Sequence, residues 1–166
     1  MNYRRRQIVV IGDGVATPEA QAAAETLGKV LAENGYTLVS GGRGGVMEAA
    51  SKGAVEAGGL VVGIVPGHKL DQANPYCTIV LPTAQGHGRN HTNVLAADAV
   101  IIIGGQAGTL SEMSFAWLYA KPMAALVGHG GFADAYAGKP LDKRPRQPIY
   151  GAKSTKDLLD WLSSLW

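Results

Sequence analysis

Residues 99–113 read AVIIIGGQAGTLSEM, a stretch that carries an unbroken apolar run into a glycine-rich turn and then into a helical pattern. Apolar runs that do not alternate with polar residues are typical of strands buried on both faces, as in a parallel sheet. Further runs of this kind are IVVIG (8–12), LVVGIV (60–65) and MAALV (123–127), with TLVS (37–40) and TIVL (78–81) as weaker candidates. The sequence therefore predicts a parallel sheet built from these segments.

Helical patterns lie between the predicted strands. Thr17 precedes Pro18 as an N-cap before a proline at the first helical position, and Asn34-Gly35 ends that helix. Further helices are predicted over 46–57, 89–97 and 109–120, and a last one follows the capping pattern that begins at Ser154. Strand and helix alternate without a repeat, which predicts an α/β fold: a single Rossmann-like domain over residues 1–166, with a mostly parallel sheet and helices on both faces.

Two long connections interrupt this alternation, at 66–77 and at 128–147. Connections of this length in a compact domain are often lids or binding loops. For the second, which is rich in Lys, Arg and Pro, a plain surface loop is an equally good interpretation.

Composition limits the classes of function. The 166 residues carry a net charge of +2, which is too small to indicate a nucleic-acid partner. The apolar run after Arg4, Arg5 and Arg6 is too short for a signal peptide or a membrane span, so we interpret the three arginines as a solvated lead-in to the first strand. Cys77 is the single cysteine, which makes an internal disulfide impossible and a reducing compartment the default. We expect a cytoplasmic protein without a membrane or nucleic-acid partner.

Three predicted strands end in glycine-rich turns that open onto helices: GDG (12–14), GGRGG (41–45) and GGQAG (104–108). Ligands of open parallel sheets bind at the carboxyl ends of the strands, and helix N-termini attract anions. Three such turns at one edge favour a phosphorylated ligand. The dinucleotide fingerprint is absent because its third glycine would fall at Thr17, and no Walker lysine follows either cluster.

Two charged residues adjoin these turns. Arg89 begins a predicted helix, where the helix dipole disfavours a cation, so we expect an anion beside it unless the side chain is simply solvated. Glu112 has two interpretations. With Thr109 it fits the capping box T-x-x-E, or it is free to face the ligand. His87 and His91 are spaced for a metal on a helix, but no third ligand stands nearby, so no metal site is expected.

These residues resemble the LONELY GUY-like proteins, also called the lysine-decarboxylase-like or SLOG superfamily. Their hallmark P-G-G-x-G-T-x-x-E appears here as Gly104-Gly105-Gln106-Ala107-Gly108-Thr109-Leu110-Ser111-Glu112, and Arg89 lies 23 residues before Glu112, the spacing of the family's arginine and glutamate. The segment GGRGGVMEAASKGA (41–54) and the pair Arg89-Asn90 resemble a branch that includes the molybdenum cofactor carrier proteins. The departures at Gly104, Gln106 and Ser111 weigh against hydrolase activity, although Arg89 and Glu112 remain.

The resemblance implies two alternatives. In the first, the protein binds a phosphorylated pterin- or nucleotide-type ligand, most like a molybdenum cofactor carrier, and the basic loop around Lys143 and Arg144 covers that ligand. In the second, the protein is a nucleoside 5′-monophosphate phosphoribohydrolase in which Glu112 and Arg89 are catalytic. We favour the carrier. The resemblance also implies a homodimer or a dimer of dimers, for which the apolar Met113, Trp117 and Leu118 are candidate interface residues.

The expected ligand-contacting residues are Gly12, Gly14, Gly41, Gly42, Arg43, Gly44, Gly45, Val46, Met47, Arg89, Asn90, Gly104, Gly105, Gly108, Thr109 and Glu112. Met47 also has the helical spacing of a core residue.

Overall fold

The computed structural model describes residues 4–166, and residues 1–3 of the N-terminal lead-in lie outside the described part. The strands are β1 (Gln7–Gly12), β2 (Thr37–Ser40), β3 (Val61–Val65), β4 (Ile79–Pro82), β5 (Ala99–Ile103), β6 (Met123–Leu126) and β7 (Tyr150–Ala152). The α-helices are α1 (Pro18–Glu33), α2 (Val46–Glu56), α3 (Arg89–Leu95), α4 (Ala107–Leu118), α5 (Gly131–Tyr136) and α6 (Thr155–Ser163). Short 3-10 turns cover Leu70–Gln72 and Gly86–Gly88.

All seven strands form one parallel sheet in the order β4-β3-β2-β1-β5-β6-β7. The order reverses between β1 and β5, which is the switch point where open α/β sheets bind ligands. The predicted fold class is confirmed.

Helices cover both faces of the sheet because successive residues of the buried strands point to opposite sides. Ile8 and Val10 of β1 lie in the core that α1, α2 and α6 cover. Val9 and Ile11 lie in the core that α3, α4 and α5 cover. This double burial explains why the strands read as unbroken apolar runs.

The predicted helix starts at Thr17 and Ser154 are confirmed. Thr17 Oγ1 accepts from the Ala20 amide at 3.2 Å, and Ser154 Oγ accepts from the Asp157 amide at 3.1 Å. In the last helix the Asp157 carboxylate accepts from the Lys153 amide rather than from Ser154, so the capping box is displaced by one residue.

Two parts of the sequence interpretation were wrong. The connection 128–147 is not one long loop, because it contains α5, and the strand β7 that follows it was not predicted. The arginines before β1 are not merely solvated. Arg4 makes two hydrogen bonds to the Asp98 carboxylate, at 2.7 and 2.9 Å, and the Arg6 guanidinium lies 4.0 Å from the centre of the Trp166 ring system.

Candidate functional site

The three glycine-rich turns meet at the carboxyl ends of β1, β2 and β5, and Asp13 joins them. The Asp13 carbonyl accepts from the Val46 amide at 2.9 Å, which ties the β1 turn to the start of α2. The Asp13 Oδ2 atom accepts from the Gly105 amide at 2.9 Å, which ties it to the turn after β5. Sequence reasoning did not select Asp13, although an acidic residue between two glycines at a strand end was a usable signal.

Several of the glycines are required by the packing of one turn against another. Gly45 has a φ of +64°, and a Cβ added there would lie 2.1 Å from the Asp13 carbonyl oxygen. Gly104 has a φ of +63°, and its added Cβ would lie 2.1 Å from Asp13 Oδ2. Gly14 and Gly108 differ, because no heavy atom lies within 4 Å of an added Cβ there. Glycine is therefore required by close packing at Gly45 and Gly104, whereas at Gly14 and Gly108 it leaves open space beside the backbone.

Arg89, the first residue of α3, lies against the turn after β2. A Cβ added to Gly41 would lie 2.5 Å from Arg89 Nη1, so a glycine is needed for the guanidinium to occupy this position. The Arg89 side chain is only 11% exposed. Burial lowers the pKa of Arg89, the Glu112 carboxylate opposes that shift, and the nearby Arg43 charge adds to it. Two cations thus stand close together at the switch point.

Glu112 lies behind Arg89 on α4 and is buried. Its Oε1 atom accepts from Asn93 Nδ2 at 2.7 Å and lies 3.8 Å from Arg89 Nη1, beyond direct hydrogen-bond length. Burial raises the pKa of Glu112 to about 7, against the opposing effects of Asn93 and Arg89. Asn93, which sequence reasoning missed, is fully buried, and its Oδ1 atom has no hydrogen-bond partner.

The capping-box interpretation of Glu112 was wrong. The helix α4 begins at Ala107, after the extended Gln106, so Thr109 lies inside it rather than at its N-cap. The Thr109 hydroxyl donates to the Gly12 carbonyl at 3.2 Å, which joins α4 to the turn after β1. Glu112 is therefore free to make the contacts with Asn93 and Arg89.

Asn90 holds α3 and α4 together around this pair. Its Oδ1 atom accepts from Arg89 Nη1 at 2.8 Å, and its Nδ2 atom donates to Ser111 Oγ at 2.8 Å. The Ser111 hydroxyl in turn donates to the Gly108 carbonyl at 2.7 Å. The Asn90 side chain is buried and engaged on both sides by protein groups, so in this structure it orients the Arg89 guanidinium.

The backbone amides at the start of α4 complete the site. The first helical hydrogen bond is donated by the Leu110 amide to the Gln106 carbonyl, so the amides of Ala107, Gly108 and Thr109 precede it. At the start of α2, by contrast, the Val46 amide is already bound to Asp13. Arg43 is exposed, and Met47 is half-buried within α2. The arrangement can hold an anion between the α4 amides and the two arginines.

The basic loop lies elsewhere. Arg146 Nη2 donates to the carbonyl of Leu118, the last residue of α4, at 2.9 Å. Because α4 begins at the carboxyl edge of the sheet and ends at the opposite edge, the loop around Lys143 and Arg144 sits at the far end from the glycine turns. The expectation that this loop covers the ligand was wrong.

Residues 4–166 contain no group of three His, Cys, Asp or Glu side chains that could hold a metal ion. His91 Nε2 is 2.8 Å from the Tyr119 hydroxyl, and its ring packs on Phe115. Over the same residues, the structure contains no helix long and apolar enough to cross a membrane.

Comparison with known proteins identifies relatives over most of the chain. The model of the SLOG cluster4 family matches residues 5–156. An uncharacterized protein of Archaeoglobus fulgidus is 45% identical over 120 residues, which are 72% of this chain and 79% of that protein.

Similar solved structures include molybdenum cofactor proteins from two organisms. One is the molybdenum cofactor binding protein of the phototrophic bacterium Rippkaea orientalis, which is 34% identical with a TM-score of 0.85 over 99% of both chains. The other is the molybdenum cofactor carrier protein of Chlamydomonas reinhardtii, which is 28% identical with a TM-score of 0.82 over 98% of both chains.

Proposed function

The chain belongs to the SLOG cluster4 family, and from that premise we propose that it is a non-catalytic carrier of a phosphorylated pterin-type ligand, most like the molybdenum cofactor. The ligand's phosphate binds at the carboxyl edge of the sheet, between the start of α4 and the turn after β2. The molybdenum is part of the cargo.

The observation that carries this proposal is the incomplete neutralisation of Arg89. The only carboxylate paired with Arg89 among the described residues is Glu112, and it lies 3.8 Å away. Because the pKa of Glu112 is about 7, this carboxyl group is close to half protonated at neutral pH. Arg43 adds a second positive charge. A site in which a buried arginine is only partly neutralised, beside a second cation at its rim, suits an anion from outside the chain.

The groups present suit a phosphate monoester. Amide N–H groups at a helix start and a guanidinium are the usual donors to phosphate oxygens. In this chain those donors are Gly108, Thr109 and Arg89, with Arg43 at the exposed rim. The open space above Gly108 leaves room for an anion to approach the backbone. The described residues therefore fit the phosphate end of such a ligand.

A second candidate function rests on Glu112 itself. A buried carboxyl group with a raised pKa beside an arginine is also typical of a catalytic acid or base, so a nucleoside 5′-monophosphate phosphoribohydrolase is the alternative. Against it stand the substitutions at Gly104 and Gln106 in the hallmark. Glu112 is also nearly enclosed, with its side chain 8% exposed.

AMP separates the two functions because it carries the phosphate that both require. If the protein is a carrier, we expect calorimetry to detect AMP binding to the wild-type protein and to Arg5→Gln. Arg5 lies at the opposite edge of the sheet from the anion site. Arg89→Gln should bind AMP at least about tenfold more weakly, since it loses a charge-assisted contact. Chromatography of the same samples should show intact AMP.

Equal AMP affinity in Arg89→Gln and Arg5→Gln would contradict the anion site. Release of adenine and ribose 5-phosphate by the wild-type protein would contradict the carrier and establish the hydrolase. In that case Glu112→Gln should lower kcat by about 10²-fold or more.

A further inference from the structure

A second concave surface lies at the opposite edge of the sheet, where the strands begin. It is a groove of about 890 Å³ between the first residues of β6 and β7 and the C-terminal ends of α4 and α6. The volume falls in the range of small-molecule sites, about 300–1,000 Å³. We call it the N-edge groove, and define it by Trp117, Lys121, Met123, Arg146, Tyr150 and Trp161.

The walls of the N-edge groove are mainly apolar and include three aromatic side chains. Trp117 and Met123 are almost fully buried beneath it. The rings of Tyr150 and Trp161 are stacked nearly parallel, with an interplanar angle of 6° and centroids 6.0 Å apart. The Trp117 indole N–H is satisfied by Asp142 Oδ1 at 2.7 Å, which leaves the ring as an apolar surface. Such walls suit a flat apolar group.

The charges of the N-edge groove are of one sign. Lys121 Nζ donates to the carbonyls of Leu95 and Ala97, and Arg146 Nη2 donates to the carbonyl of Leu118. Carbonyl groups orient these cations but do not cancel their charge. Arg144 also lines the groove and pairs with Asp142. Among residues 4–166, no Asp or Glu side chain lines the groove, so Lys121 and Arg146 leave it positive.

We propose that the N-edge groove is a second binding site, for a small organic anion with a flat apolar body. The body packs on Tyr150 and Trp161. Arg146 binds the acidic group through the guanidinium N–H groups that do not donate to the Leu118 carbonyl. The cations also complement the C-terminal ends of α3 and α4, but that role does not require the adjoining aromatic cavity. This site is independent of the function proposed for the opposite edge.

The test uses two fluorescent probes with the same rings. The first, 8-anilinonaphthalene-1-sulfonate, carries an anionic group, and the second, N-phenyl-1-naphthylamine, is neutral. We expect the wild-type protein to bind the sulfonate at least about tenfold more tightly than the neutral probe. Arg146→Gln should weaken sulfonate binding by about tenfold and leave the neutral probe unaffected.

Arg146→Gln also removes a hydrogen bond to the end of α4, so two further variants test the site without changing that bond. Gln147→Glu places a carboxylate at an exposed lining position without changing the shape of the side chain, and should also weaken sulfonate binding. Lys143→Gln removes the same charge as Arg146→Gln from outside the lining, and should bind as the wild type does. Circular dichroism melts confirm that each variant is folded.

The proposal is overturned if the sulfonate binds no better than the neutral probe, or if Gln147→Glu binds it as the wild type does. Loss of sulfonate affinity in Arg89→Gln would also overturn it, because the probe would then occupy the opposite edge. Arg89→Gln should keep full sulfonate affinity whether or not the proposed carrier function holds.

Discussion

At the scale of single residues, the site depends on a buried pair that is not fully matched. Arg89 and Glu112 lie 3.8 Å apart. Asn90 accepts a hydrogen bond from Arg89, and Asn93 donates one to Glu112. Removing water from a carboxyl group disfavours its charged form, so the pKa of Glu112 rises to about 7 even beside an arginine. The proton on Glu112 therefore controls how much positive charge Arg89 offers to a ligand.

This control predicts a pH dependence of anion binding. As the pH falls from 8 to 6, Glu112 gains a proton and stops competing for Arg89, so affinity for an anion should increase. Inorganic sulfate is the suitable probe because it does not titrate in this range. Isothermal titration should show tighter sulfate binding at pH 6 than at pH 8 in the wild type. Glu112→Gln should keep the tighter binding at both values. A pH dependence of equal size in Glu112→Gln would contradict the assignment.

The same shift has a consequence for stability. The pKa of Glu112 is raised above its unfolded value of 4.5, so its proton stabilises the folded state fully below pH 4.5, and this stabilisation is lost as the pH rises through about 7. Relative to the wild type, Glu112→Gln should therefore gain stability on going from pH 5.5 to pH 8. Urea unfolding at the two pH values measures the difference. If Glu112→Gln instead loses stability relative to the wild type over this pH range, Glu112 is held as a carboxylate in the folded protein.

At the scale of elements, α1 and α2 approach closely at two glycines. A Cβ added to Gly28 would lie 1.9 Å from the Ala50 carbonyl oxygen, and one added to Gly53 would lie 1.9 Å from the Glu25 carbonyl oxygen. Backbone atoms cannot move aside as a side chain can. This contact fixes α2, whose N-terminal turn forms one wall of the site.

Gly28→Ala should therefore destabilise the protein by about 1–3 kcal/mol, the usual cost of overpacking. Gly108→Ala is the matched control, because Gly108 is also helical but has no heavy atom near an added Cβ. There the better helix propensity of alanine should leave stability unchanged or raise it by up to about 1 kcal/mol. Urea unfolding of both variants decides the matter, and equal stability changes would refute the packing argument.

The elements also show what sequence patterns can and cannot predict. The strands beneath two helical layers were predictable, since burial on both faces leaves long apolar runs such as Ala99–Ile103. The strand Tyr150–Ala152 was not, because it has three residues and two of them are exposed. Arg89 and Glu112 could be selected from the sequence. Asp13 had a local signal in its place between two glycines, but its partner Gly105 lies 92 residues away. Asn93 acts through Glu112, 19 residues away, and no local pattern reveals it.

At the scale of the whole molecule, the edge strand β4 carries exposed apolar residues on one face. Ile79 and Leu81 of β4 are nearly half exposed and pair with Val62 and Ile64, so they face the side covered by α3 and α4. Leu118, the last residue of α4, lies beside Arg146 and is also 48% exposed. Met113 and Trp117, which were expected at an interface, are instead buried in the protomer's own core.

We expect this face to be covered by a second copy of the chain, as a homodimer or a dimer of dimers. Light scattering of the wild-type protein at micromolar concentration should give at least twice the chain mass. Leu81→Asp should shift the mass toward that of one chain, whereas Val15→Asp, at a position that is 93% exposed elsewhere, should not. A monomeric wild type would refute the interface.

The central claim is that this chain carries a phosphorylated pterin, and its most direct test is the bound content of protein purified from cells that make the molybdenum cofactor. After gel filtration, we predict pterin, measured by fluorescence after oxidation, together with molybdenum, measured by mass spectrometry, in the wild type and in Arg5→Gln, and a large loss of both in Arg89→Gln. Wild-type protein that contains neither pterin nor molybdenum would contradict the account.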